Sequence, residues 1–156
     1  FINCVNEKKG FGRLDFKKFH PAGNLGNKLK TASDIMLTKN RIPFVKENDL
    51  MKKALKVLNK KKLGFLVVKN DLGLNVGVFT DGDLKRLMQK KRAINNLKIK
   101  LFMTKKPYVV EENMLASEIL TQMNKRKITN VCVFKNQNKK KIIGVIHIHN
   151  LLNILK

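Results

Sequence analysis

Hydrophobic and polar positions along the chain fall into blocks that recur. In "DLMKKALKVLNK", Leu50, Ala54 and Leu58 stand at i, i+4 and i+8, the spacing of one helix face. Leu115, Ile119 and Met123 draw the same stripe 65 residues further on, in "MLASEILTQMNK". Each helix is followed by an apolar run of β character, "LGFLVV" at 63–68 and "ITNVCVF" at 128–134. Both runs end in "KNDLG" or "KNQNKKK", where Asn, Asp and Gly favour chain reversal. A second strand follows, "NVGVF" or "IIGVI", and then a closing helix, "DGDLKRLMQ" or "HNLLNILK". A Met and a Pro-led strand precede each block, in "DIMLTKNRIPFV" and "LFMTKKPYVV". Gly77 and Gly144 are 67 residues apart, as are Met36 and Met103.

The pattern predicts strand, helix, strand, strand, helix, performed twice: an α/β (α+β) chain of two similar units. About 60 residues make only a marginal core, so neither unit can bury its sheet and helices alone. The two copies are expected to pack together through their sheets about a pseudo-two-fold axis. Function should then sit where they meet.

Composition narrows the setting. No apolar run approaches the ~20 residues a membrane span needs. The opening "FINCVNEKKGFG" has no basic leader, apolar stretch or small-residue cleavage site, so no signal peptide is expected. Its start at Phe1 leads us to expect a piece of a longer protein. Cys4 and Cys132 are far apart and fit no metal-ligand spacing, which reads as two free thiols in a reducing, cytoplasmic setting. The charge is extreme, 34 basic against 11 acidic side chains for a net +23. Such a balance raises nucleic acid or an anionic membrane as a partner. Yet the lysines are scattered in pairs and triplets, there is no Trp and one Tyr, and no basic–aromatic interleaving suits base stacking. Neither a specific nucleic-acid partner nor a membrane partner is expected. Salt-sensitive, non-specific association is.

The chemistry-bearing stretch is "GVFTDGD" at 77–83, echoed by "GVIHIHN" at 144–150, where His147 and Asn150 replace Thr80 and Asp83. Thr80 and Asp83 have the spacing of a capping box ahead of an apolar helix. Asp81 and Asp83 also suit the positive end of that helix. Capping does not compete with binding: a helix start offers unpaired N–H groups, and a hydroxyl beside them can hold a phosphate. A carboxylate one turn in could accept hydrogen bonds from the paired hydroxyls of a ribose. A calcium loop fits poorly, since "LKRLMQ" supplies no further oxygen ligands. An acid–base pair fits poorly too, because Lys85 and Arg86 favour ionised carboxylates. His147 and His149 share a face if the strand persists, but no third ligand stands nearby for zinc, and no metal is expected. Structural and ligand-contacting roles both remain open for them. Met36 and Met103 read as core, and the 139–141 lysine run as a solvated turn.

The doubled unit, each copy ending in Gly-apolar-apolar-x-x-x-Asp/Asn, resembles a pair of CBS domains, the Bateman module that binds adenosine-type nucleotides. That family's second strand pair ends in Gly-h-x-Thr/Ser-x-x-Asp, which Gly77, Thr80 and Asp83 match in full. The resemblance implies that Thr80 contacts phosphate or ribose and that Asp83 binds the ribose hydroxyls. Gly77, Asp81, Ile42 and Pro43 complete the implied nucleotide site, Asp81 mainly as part of the helix start. The second site, His147, His149 and Asn150, is implied to be altered or empty, since an amide lacks the charge-assisted strength of a carboxylate.

The flanks "DFKKFHPAGNLGNKL", "SDIM", "LGFLVV", "GVFTDGDLKR" and "GVIHIHNLL" resemble more narrowly the bacterial arabinose 5-phosphate isomerase group. There a sugar-isomerase (SIS) domain precedes the CBS pair. On that resemblance residues 1–29 are the end of the SIS domain and a linker, 30–95 the first CBS repeat and 96–156 the second. The family interconverts ribulose 5-phosphate and arabinose 5-phosphate for Kdo and lipopolysaccharide synthesis, by proton transfer beside a carbonyl. Its His-Pro histidine falls on His20, expected at the active site only in an intact enzyme; "HPAG" also reads as an ordinary turn. No cofactor is required. A regulatory nucleotide (AMP, ADP, ATP or CMP-Kdo) is implied, as is a homodimer of CBS pairs within a tetramer. The alternative is a purely structural dimerisation module that orients the SIS domains without a ligand.

Overall fold

The computed structural model describes residues 24–90, 93–135 and 137–156. His20, Cys4 and most of the 1–29 segment lie outside them. The chain runs α1 (Asn24–Lys28), α2 (Ala32–Ile35), β1 (Phe44–Lys46), α3 (Met51–Lys61), β2 (Phe65–Lys69), β3 (Asn75–Thr80) and α4 (Asp81–Lys90). Then come β4 (Val109–Glu111), α5 (Ala116–Arg126), β5 (Asn130–Phe134), β6 (Ile142–His147) and α6 (Ile148–Leu155). Short 3₁₀ turns at Lys39–Arg41 and Ile99–Leu101 precede β1 and β4.

Each repeat builds a three-stranded sheet, β1-β2-β3 and β4-β5-β6. The first pair is parallel across a helical crossover and the second antiparallel. Register repeats as well as order: Phe65 faces Thr80, as Asn130 faces His147.

The helix stripes are shifted by one residue at their start. Met51, Ala54 and Leu58 are buried in α3, whereas Leu50 is 41% exposed. Leu50 is the extended residue ahead of the helix (φ −72°, ψ 148°), so its side chain does not follow the helical phase. Leu115 stands in the same relation to Ala116, Ile119 and Met123. Both helices end on a lysine in the left-handed region, Lys62 and Lys127.

Each sheet carries its helices on the outer face, and the inner faces meet. Val45, Met51, Leu66, Val68 and Phe79 anchor the core of the first repeat, while Val110, Ile119, Met123, Val131 and Ile146 anchor the second. Between the sheets, Phe65 and Val67 join Cys132, Ile142 and Val145 with Ile42. The buried Cys132 thiol is pushed up to about 12 by desolvation.

The lead-in segments cross over. Leu37 pairs antiparallel with Val145 of the second sheet, and Thr104 with Val78 of the first. Thr31 likewise bridges Leu115, and Leu50 bridges Lys98. Met36 and Met103, read as core, pack against the repeat they do not introduce. Lys139, Lys140 and Lys141 are exposed in the β5–β6 turn. Among the described residues no helix is long and apolar enough to cross a membrane.

Candidate ligand-binding cleft

The strands β3 and β6 both run into a helix at the same end of the molecule, beside a cleft of about 550 Å³ between the repeats. Its walls include Thr80, Asp81, Gly82, Asp83 and Arg86 from the first repeat. The second repeat supplies Tyr108, Lys127, Thr129, Asn130, His147 and His149. The helix starts of α4 and α6 therefore open on one space, with most of their leading N–H groups satisfied by caps and by the neighbouring strand ends.

At the first helix start the capping box is complete. Thr80 N–H and Oγ1 both donate to Asp83 Oδ2, at 2.9 and 3.0 Å, and Asp83 N–H donates to Thr80 Oγ1 at 3.1 Å. Arg86, one turn on, holds Asp83 Oδ1. The carboxylate thus has both oxygens engaged, one of them by a guanidinium on the exposed side of the helix. Asp81 is exposed, and its backbone N–H donates to Gly64 at 2.9 Å. Gly64 takes φ +73°, and a β-carbon there would come within 3.1 Å of Asp81 Oδ2, so this turn requires glycine.

At the second helix start the strand ends at His147, so the two histidines do not share a strand face. Instead they form a cap. His147 Nδ1 accepts from His149 N–H at 3.1 Å, Asn150 Oδ1 accepts from His147 N–H at 3.3 Å, and the two rings stack at 4.7 Å. Burial, and then the charge of His149, hold the His147 imidazole below its usual 6.5. Accepting at Nδ1 puts the proton of the neutral ring on Nε2. Asn150 thus does the capping work of Asp83 with an uncharged side chain.

Several expected residues lie elsewhere. Ile42 and Pro43 are buried, Ile42 in the inter-sheet cluster, and neither lines the cleft. By register their counterparts are Pro107 and Tyr108, which do line it. The crossover of the lead-ins explains this: Thr104 pairs with β3, carrying the second repeat's Pro-led segment to Thr80's end of the cleft. Gly77 is buried in β3, under Met103 and Thr104 rather than facing the cleft.

Asn130 was not anticipated. Its Nδ2 donates to Thr129 Oγ1 at 3.1 Å, while its Oδ1 is buried without a hydrogen-bond partner. A polar residue inside the apolar run "ITNVCVF", where the first repeat has Phe65, is the signal that could have found it. Among the described residues, no group of three or more His, Cys, Asp or Glu side chains could hold a metal ion.

The family model for the CBS domain matches residues 32–90 and 98–156. The chain belongs to the CBS-domain family. The chain is 38% identical over 145 residues to the arabinose 5-phosphate isomerases KdsD of Yersinia pestis and Escherichia coli, covering 92% of this chain and 43% of theirs. An uncharacterised protein of Rickettsia prowazekii is 35% identical over 153 residues, covering 98% of this chain and 46% of that one. The chain therefore spans less than half the length of these relatives. Among solved structures, CBSX2 in complex with AMP superposes with a TM-score of 0.68 at 26% identity, covering 80% of this chain and 94% of that one. The CBS pair of protein MJ0100, in complex with 5′-methylthioadenosine and S-adenosyl-L-methionine, gives 0.70 at 21% identity, with 81% and 95% covered. This second likeness bears on the fold alone.

Proposed function

We propose that this CBS pair is the nucleotide-sensing regulatory module of a cytoplasmic D-arabinose 5-phosphate isomerase, serving Kdo and lipopolysaccharide synthesis. The observation that carries the reading is the convergence of two helix starts and the Thr80–Asp83 box on one inter-repeat cleft. The KdsD relatives support the enzyme assignment, and the AMP complex of CBSX2 supports the ligand class. In this reading residues 1–29 belong to the end of a sugar-isomerase domain and its linker, with His20 at the catalytic site of the whole enzyme. Residues 30–95 and 96–156 are the two repeats, and CBS pairs dimerise within a tetramer.

Binding would redistribute the partners of Asp83. A ribose hydroxyl donating to Oδ1 takes the place of Arg86, whose guanidinium is then free for a phosphate at the α4 start. The ligand is an adenine nucleotide or a cytidine nucleotide sugar such as CMP-Kdo. It regulates only through a difference in affinity between two arrangements of the pair. Calorimetric titration with AMP, ADP, ATP, CMP and CMP-Kdo is expected to give saturable heat with at least one. Absence of heat with all five would overturn the sensing role.

One observation favours a second reading, a structural module that dimerises and orients the isomerase domains. Both oxygens of Asp83 are already engaged within the protein, Oδ2 by the cap and Oδ1 by Arg86. Under that reading the five titrations stay silent while removal of the pair disperses the oligomer.

A further inference from the structure

The two walls of the cleft are related by the repeat, yet one pair of equivalent positions differs in kind. Phe65 faces Thr80 in the first sheet; Asn130 faces His147 in the second. A phenylalanine there asks nothing of its surroundings. An asparagine at the cleft wall with its Oδ1 buried and unpaired is costly unless something donates to it. Thr129 Oγ1 lies against the amide Nδ2 at 3.1 Å, which leaves the oxygen end open.

Directly across the strand pair, His147 has its Nδ1 engaged by His149 N–H, so its remaining ring nitrogen is a donor. Residues facing each other across an antiparallel pair carry their side chains on the same side of the sheet. The second-repeat wall thus sets an acceptor, Asn130 Oδ1, beside a donor, His147 Nε2–H. We infer that Asn130 and His147 form a base-reading subsite selective for an amino group next to an unprotonated ring nitrogen, the edge shown by adenine and cytosine. Hypoxanthine and uracil show the reverse, a carbonyl beside a ring N–H, and would leave both protein groups mismatched. The subsite gives the second repeat a recognition role in one shared ligand position, in place of an altered or empty second site. The inference rests on the nucleotide-sensing reading.

Calorimetry with matched pairs tests it: AMP against IMP, and CMP against UMP, on the wild-type chain and on Asn130→Val. The β-branched replacement suits a strand, and thermal unfolding of the variant checks that it folds; its midpoint is expected to stay or rise as the unpaired acceptor is removed. The wild type is expected to bind the amino member of a pair about tenfold or more tightly than its keto partner. Asn130→Val should keep binding but shrink that ratio toward one. Equal affinity for amino and keto nucleotides in the wild type would overturn the subsite and leave nucleotide sensing standing. An undiminished ratio in folded Asn130→Val would also overturn it. No heat from any of the four would overturn this inference, whereas the sensing role falls only if ADP, ATP and CMP-Kdo are silent as well.

Discussion

Met103 lies over Gly77, its Sδ 2.8 Å from where a β-carbon on that glycine would stand. The two residues belong to different repeats: Gly77 closes the first sheet, and Met103 leads into the second. Met36 covers Gly144 in the same way from the other direction. The glycines are what allow each lead-in to press onto the sheet it does not begin, and this contact fixes how the two sheets face each other across the cleft.

Gly77→Ala is therefore expected to destabilise the protein by about 1–3 kcal/mol. Its new methyl would also meet the Thr104 carbonyl oxygen at 2.7 Å, a backbone atom paired with Val78 that has no room to give. Gly144→Ala is expected to cost about as much: its nearest neighbours all belong to the Met36 side chain, but Met36 Cβ, at 2.9 Å, is fixed by its own backbone. Urea denaturation of both variants checks this, and a loss well under about 1 kcal/mol at either glycine would contradict it.

The repeat, its elements and the capping box were legible in the sequence because each rests on local spacing. The crossed pairing was not. The offset that relates Met36 to Met103 also relates Gly77 to Gly144, so spacing alone cannot show that Met36 meets Gly144 and Met103 meets Gly77. For the same reason Ile42 and Pro43 were grouped with Thr80, while Pro107 and Tyr108 occupy that end of the cleft. The histidines were hidden by one backbone change: with β6 ending at His147, positions two apart become a cap and its donor rather than neighbours on a face.

Thr80→Ala removes a hydroxyl that both accepts from Asp83 N–H and donates to Asp83 Oδ2. A loss of about 1 kcal/mol of stability is expected. Thr80→Ser keeps both bonds and should restore most of it. Calorimetry on the same variants separates the roles. Lost stability with unchanged nucleotide affinity favours a pure cap, whereas weakened binding in the alanine variant favours a ligand contact.

The helix-ending lysines offer a paired comparison. Lys62 and Lys127 sit at φ 56° and 55°, where an L-residue is disfavoured and glycine is the usual occupant. Lys62→Gly and Lys127→Gly are each expected to raise stability by roughly 0.5–1 kcal/mol. Only Lys127 lines the cleft, so only its replacement should weaken binding of a phosphate-bearing ligand. Thermal unfolding read beside titration distinguishes the two. Equal effects on binding would show that Lys127 has no part in the site.

His147 makes the second cap depend on protonation. Its folded pKa is depressed below 6.5, so the unfolded chain takes up the proton more readily than the native one. The stability this gives is fully present above 6.5 and is lost as pH falls through the folded value. The geometry supplies the reason: a protonated Nδ1 cannot accept from His149 N–H, and the ring then carries charge into a half-buried wall beside a second histidine. Thermal unfolding followed from about pH 8 to about pH 5 should show a loss of stability assignable to this residue. His147→Asn keeps a capping acceptor without a titrating group, and its stability should fall less across that range. A variant that tracks the wild type at every pH would place the titration elsewhere and leave His147 as a cap of constant strength.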